Sequence, residues 1–163
     1  MGRTAPLQGR HRATIEGDFV VFLIGARPSL RHPVRTFGDL GGRRGMRHML
    51  EHLSRHPDKG LLAFEMGFPV IVQYWRSFDH LEAFARDPDD PHSTAWRNYW
   101  KRVGRENRTG IWHETYLVRA GEYEAVYANM PPSGLGKAGS LEAIRGESSA
   151  RTRLRSRTAA GAG

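Results

Sequence analysis

Two short segments concentrate the side chains able to do chemistry. Ile111-Trp-His-Glu-Thr-Tyr116 sets an imidazole beside a carboxylate in an otherwise apolar stretch. In an extended chain Trp112, Glu114 and Tyr116 fall on one face, and His113 and Thr115 on the other. Ionisable groups in such surroundings are costly unless partnered, and pKa values shifted by them suit proton transfer. His113 and Glu114 are therefore candidate general bases, with a hydrogen-bonded structural role for His113 as the alternative. Gln73-Tyr-Trp-Arg-Ser77 places an amide, two large aromatics and a guanidinium where a strand gives way to a helix. Gln73 and Trp75 share a strand face and could look into one cavity, while Arg76 could neutralise an anionic substrate group. Core packing by Trp75 and an ion pair from Arg76 to Asp79 are the structural alternatives. His92 stands at the entrance of a helix bearing Trp96. It could be an axial haem ligand, or a helix-terminus residue hydrogen-bonded to backbone.

Three other strings fail their chemistry. His48-Met-Leu-Glu-His52 has the H-x-x-E-H spacing that grips zinc from one helical face, but no downstream carboxylate helix offers a third ligand, so no metal site is expected. Gly134-Leu-Gly-Lys137 lacks the frame of a phosphate loop, because position 131 is Pro and position 138 is Ala. Gly38, Gly41, Gly42 and Gly45 miss the dinucleotide fingerprint and follow no strand directly.

The elements that must position these groups are legible from periodicity and punctuation. Phe19-Val-Val-Phe-Leu-Ile24, between Gly17 and Gly25, reads as a strand buried on both faces. A loop rich in Pro and Gly follows. Residues 43–56 carry Met46, Met49, Leu50 and Leu53 at helical spacing and stop at Pro57. Strands over 61–66 and 69–75 flank a hairpin at Gly67-Phe68. Ser77 is the expected N-cap of a helix holding Phe78, Leu81 and Phe84 on one side. A helix over 93–103, a strand over 110–118 and a last strand over 123–129 complete the order. This is an α+β, ferredoxin-like βαββαβ plan with an extra C-terminal strand.

The chain has 163 residues, enough for one domain, with 39% hydrophobic residues to build a core. It contains no Cys, which excludes disulfides, thiolate catalysis and Cys-based metal sites. No apolar run nears the roughly 20 residues that cross a bilayer, and no secretory signal is evident. A cytoplasmic protein with no membrane partner is expected. Of the formal net charge of +8, the residues from Lys137 onward hold six basic against two acidic side chains. Half of the excess therefore sits in a Gly/Ala/Ser/Arg-rich tail. The expected division is a flexible segment over 1–17, a folded domain over 18–136 and a disordered basic tail over 137–163. Nucleic acid would bind through that tail alone, so it is not an expected partner.

Alternation makes both faces of the sheet apolar, yet right-handed crossovers put both helices on one side. Covering even ~600 Å² of the other face, at ~25 cal/mol per Å², is worth about 15 kcal/mol before association costs. A homodimer, two sheets face to face, answers that demand.

Taken together, Gln73-Tyr-Trp-Arg-Ser77, His92 with Ala95-Trp96, Gly110-Ile-Trp-His-Glu-Thr-Tyr116 and Asn129-Met-Pro-Pro132 resemble the monooxygenase-like family typified by the fumagillin-pathway monooxygenase, a relative of antibiotic-biosynthesis monooxygenases. The resemblance runs from about Arg12 to Lys137. It implies a dimeric α/β barrel and an enzyme that uses oxygen on a small natural-product substrate, aromatic or polyketide-like. Trp75, Trp112 and Tyr116 would enclose that substrate, Gln73 or Arg76 would orient it, and His113 or Glu114 would remove a proton. Members of this fold work either without a cofactor or with haem. In a haem version His92 would be the iron ligand, and the same barrel could also hold haem or another ligand without turnover.

Overall fold

The computed structural model describes residues 5–42, 45–89, 91–104, 106–146 and 149–154, without the side chains of 91–94. Its main layer is a four-stranded antiparallel sheet. β2 (Phe19–Arg27) lies at its centre between β4 (Val70–Trp75) and β5 (Gly110–Val118), and β3 (Leu61–Glu65) flanks β4. The sequence of β2, a helix, β3, β4, a helix and β5 gives the βαββαβ order, and the arrangement β3-β4-β2-β5 is consistent with a ferredoxin-like sheet.

One face of this sheet carries α2 (Met46–Arg55), α3 (Phe78–Arg86) and α4 (Pro91–Val103). α2 turns Met49, Leu50 and Leu53 inward, and an Arg47–Glu51 ion pair one turn apart lies on its outer side. Ser77 caps α3 as its spacing predicts, its hydroxyl accepting a hydrogen bond from the backbone N–H of His80. Leu81 and Phe84 then pack beneath, with Val20, Met49, Leu53 and Trp75, to form the first core.

The other face differs from expectation. A second, three-stranded sheet lies against part of it, in the order β6-β1-β7. β1 is Arg10–Thr14, β6 is Val126–Ala128 and β7 is Ser140–Ala143. Residues expected to be flexible at the N-terminus and disordered in the basic tail therefore supply two strands, and the extra C-terminal strand pairs with β1 instead of extending the main sheet. Each added strand brings little apolar surface, chiefly Ala13 and Leu141. They close with the short helix α5 (Leu135–Ala138) on Phe19, Val21, Tyr74 and Val118 in a second core. The Arg12–Glu142 ion pair ties β1 to β7 across the outside, and Arg153 bridges to Glu124. The Phe19 ring meets Tyr123 edge-on at 5.1 Å, and the Tyr123 hydroxyl accepts from Ile15 N at 2.7 Å. Burial pushes the phenols of Tyr74 and Tyr127 above their usual range at this join.

A third difference lies between β2 and α2, where a loop was expected. Residues Pro33–Asp39 form a short helix, α1, with Pro33 in its first turn. Among the described residues no helix is long and apolar enough to cross a membrane.

Candidate active-site cavity

Between the main sheet and its helices lies a cavity of about 630 Å³. Its floor is the side of the sheet bearing Phe22, Ile24, Ile71, Gln73, Trp75, Ile111, His113 and Thr115. Met46, Met49 and Leu53 of α2, Phe84 of α3, and Trp96 and Tyr99 of α4 wall it. The loop over Asp39–Gly41 and the hairpin over Met66–Pro69 border it as well. The cavity is therefore lined by one chain, on the helix-covered face, and opens to solvent on one side.

Strand alternation determines which candidate residues reach it. Gln73 and Trp75, two apart on β4, both do. Trp75 is fully buried and its ring lies 5.8 Å from Phe84. The Trp75 indole N–H donates to Gln73 Oε1 at 2.9 Å, and Gln73 Nε2 reaches Met46 Sδ at 3.7 Å. Gln73 is 3% exposed and holds both neighbours in place. Its amide is largely committed to positioning the wall.

His113 borders the cavity at its β5 edge, with its ring 5.5 Å from that of Phe22, and is itself exposed. Among the described residues none hydrogen-bonds its imidazole, so both ring nitrogens are available to a bound molecule. Thr115 lies one step along on the same face.

The remaining candidates are elsewhere. Trp112, Glu114 and Tyr116 occupy the opposite face of β5, so they do not join His113 around one substrate. The Trp112 indole lies directly over Gly25, where a Cβ would come within 2.4 Å of it. The Tyr116 hydroxyl donates to Glu114, and that bond raises the Tyr116 pKa. Arg76 is exposed and donates to the backbone carbonyl of Glu16 at 3.1 Å, neither lining the cavity nor pairing with Asp79. The reason is parity: neighbouring residues on a strand face opposite ways. His92 lies in the first turn of α4, and its side chain is outside the described residues.

Asp39, not among the candidates, is 4% exposed at the cavity margin. Arg108 clamps it with two bonds, Nε to Oδ2 at 2.7 Å and Nη2 to Oδ1 at 3.1 Å. These bonds and the nearby charges of Arg108, Arg102 and Arg35 hold the Asp39 carboxyl below the usual carboxylate range, against the opposing pull of burial. Sixty-nine residues separate the pair, so only the folded chain reveals it.

The charged wall residues are therefore already paired, Asp39 with Arg108 and Glu82 with Arg86. Among the described lining residues His113 is the one imidazole and Arg86 the one cation. A haem needs an axial donor and cations for two propionates. The described lining offers one imidazole, His113, but its two carboxylates and paired arginine leave no free cation for the propionates, so these residues do not fit haem. No group of three or more His, Asp or Glu among the described residues is placed to hold a metal ion. The His52 and His56 rings lie tilted against each other with centroids 4.5 Å apart.

The family of the chain is shown by its sequence. Residues 19–135 match the monooxygenase af470-like family, and the chain belongs to that family. Monooxygenase af470 of Aspergillus fumigatus is 27% identical over 134 residues, covering 75% of this chain and 46% of the relative. The chain thus spans about half the length of that curated relative.

Proposed function

We propose that the chain is a small monooxygenase that oxidises a neutral, apolar natural-product molecule, aromatic or polyketide-like, in the cavity beneath its helices. The observation that carries this reading is the chemistry of the wall: predominantly aromatic and aliphatic, with its charges paired and the His113 imidazole left open. No unpaired cation faces inward among the described residues to hold a carboxylate or phosphate.

In this reading His113 takes a proton from an activated C–H of the substrate. The resulting carbanion passes an electron to dioxygen and combines with it, giving a hydroperoxide. Loss of water from that peroxide leaves a carbonyl, so a CH₂ group and O₂ become C=O and H₂O. The substrate supplies every electron. Trp75, held by Gln73, and Phe22 fix the plane of the substrate against His113, and Thr115 offers a hydroxyl to a substrate oxygen. Glu114 serves no catalytic step here, and His92 is assigned none.

The uncovered part of the second sheet face, with Leu23, Val70, Val72, Trp112 and Tyr116, is where two copies would meet face to face as a ferredoxin-like dimeric barrel. Trp112 is 40% and Tyr116 50% exposed, an apolar surface of the kind homodimers bury.

The test is oxygen uptake by the purified protein with a panel of neutral aromatic and polyketide compounds. Substrate-dependent uptake should fall at least about a hundredfold in His113→Ala, within the range of general-base removal, and persist in Glu114→Gln. Uptake that survives His113→Ala would overturn the assignment. Binding without uptake across the panel would make the cavity a carrier site.

A further inference from the structure

Helix α1 is built inside out. Its polar residues Thr36 and Asp39 face the protein, 7% and 4% exposed. Thr36 Oγ1 accepts from Ser29 N at 3.0 Å, and Asp39 is locked by Arg108. Val34 and Phe37, about one turn apart on α1, and Leu30 in the turn that precedes it face the solvent instead at 84%, 61% and 91% exposure. A water-facing helix normally presents the reverse. Asp39 and Leu40, directly after the stripe, border the cavity, and so does Phe68 of the facing hairpin, itself 81% exposed. Exposed apolar side chains are thus gathered on two segments that edge an apolar chamber.

Beside the stripe stand Arg31 and Arg35, which form no ion pair among the described residues. Arg35 acts on Asp39 only through its field, and Asp39 itself is consumed by Arg108. An apolar stripe flanked by free guanidinium groups is the surface of an interfacial helix that inserts among anionic lipid headgroups. Pairing the stripe with its own copy would bring the arginines of both chains together, which like-charge repulsion disfavours.

We propose that α1 and the turn before it dock the chain on an anionic lipid surface, inserting Leu30, Val34 and Phe37 and setting Arg31 and Arg35 against lipid phosphates, with the cavity margin turned towards the bilayer. This peripheral contact needs no spanning segment, and it stands independently of the oxidation proposed for the cavity.

Co-sedimentation of the full chain with phosphatidylcholine vesicles, with and without phosphatidylglycerol, reads it directly. The wild type should pellet with the phosphatidylglycerol vesicles and release as salt is raised. Leu30→Ser/Val34→Ser/Phe37→Ser and, separately, Arg31→Gln/Arg35→Gln should each lower partitioning about tenfold, with far-UV circular dichroism unchanged. Pelleting of the triple variant like wild type would overturn the proposal and assign binding to the basic tail. Absence of vesicle binding would overturn it and leave the stripe to a protein partner. A wild-type dimer that the triple variant converts to monomers, seen by analytical ultracentrifugation, would overturn it in favour of a self-interface.

Discussion

The two faces of the four-stranded sheet are built from the same alternating strands yet end in different states. Under the helices, Gln73 and Trp75 are buried and bonded to each other, and His113, exposed and unbonded among the described residues, stands at the β5 edge of the cavity they line. On the reverse, a small second sheet closes over Phe19, Val21 and Tyr74, while Trp112, Glu114 and Tyr116 stay open to solvent. Alternation supplies apolar groups to both sides, and what covers each side decides its use. The face under the helices lines a cavity, with His113 and Leu117 exposed along its β5 edge, and the other face is only partly covered by the second sheet.

The largest break in that contrast should come from Trp75→Ala. A fully buried indole packed on Phe84 is expected to cost about 3–5 kcal/mol in urea unfolding. Gln73→Leu, which leaves the same indole N–H unpaired, should cost about 1–3 kcal/mol. If both variants unfold like wild type, the covered face is not the main core.

The Asp39–Arg108 clamp at the edge of that face should show itself through pH. The Asp39 carboxyl titrates lower in the folded chain than the unfolded value of about 3.9, so the unfolded state binds the proton first. The clamp contributes in full above that value and is lost as pH falls through the folded pKa. Arg108→Ala should lower the melting temperature by a few degrees at neutral pH, a shift on the order of 2–8 °C. The gap from wild type should narrow progressively as the pH is taken below about 4. A gap independent of pH would contradict the ion pair. The smallest effect belongs to the open face: Tyr116→Ala should change the stability of a single subunit by no more than about 0.5 kcal/mol, while weakening any association through that face in sedimentation velocity.

Much of this arrangement was legible in the residues. The turn from β4 into Ser77-capped α3, the shared face of Gln73 and Trp75, and the separation of His113 from Trp112, Glu114 and Tyr116 all follow from periods of 2 and 3.6. What alternation cannot say is which of two apolar faces encloses space, so Trp75 on one and Trp112 and Tyr116 on the other look equally able to line a site. β1 and β7 escaped notice because Arg10–Thr14 and Ser140–Ala143 place chiefly Ala13 and Leu141 inward, too few for a pattern. α1 escaped because its stripe points to solvent among Pro and Gly residues that read as a loop. Asp39 and Arg108 carry no local signal of each other.

The most direct test of the central claim, that the site lies under the helices, is a titration with N-phenyl-1-naphthylamine, a neutral apolar fluorophore. Wild type and Tyr116→Ala should bind it alike, while Ala26→Phe, which projects a ring into the cavity from β2, should markedly weaken the fluorescence rise. Retained binding in Ala26→Phe together with loss in Tyr116→Ala would move the site to the other face and contradict the account.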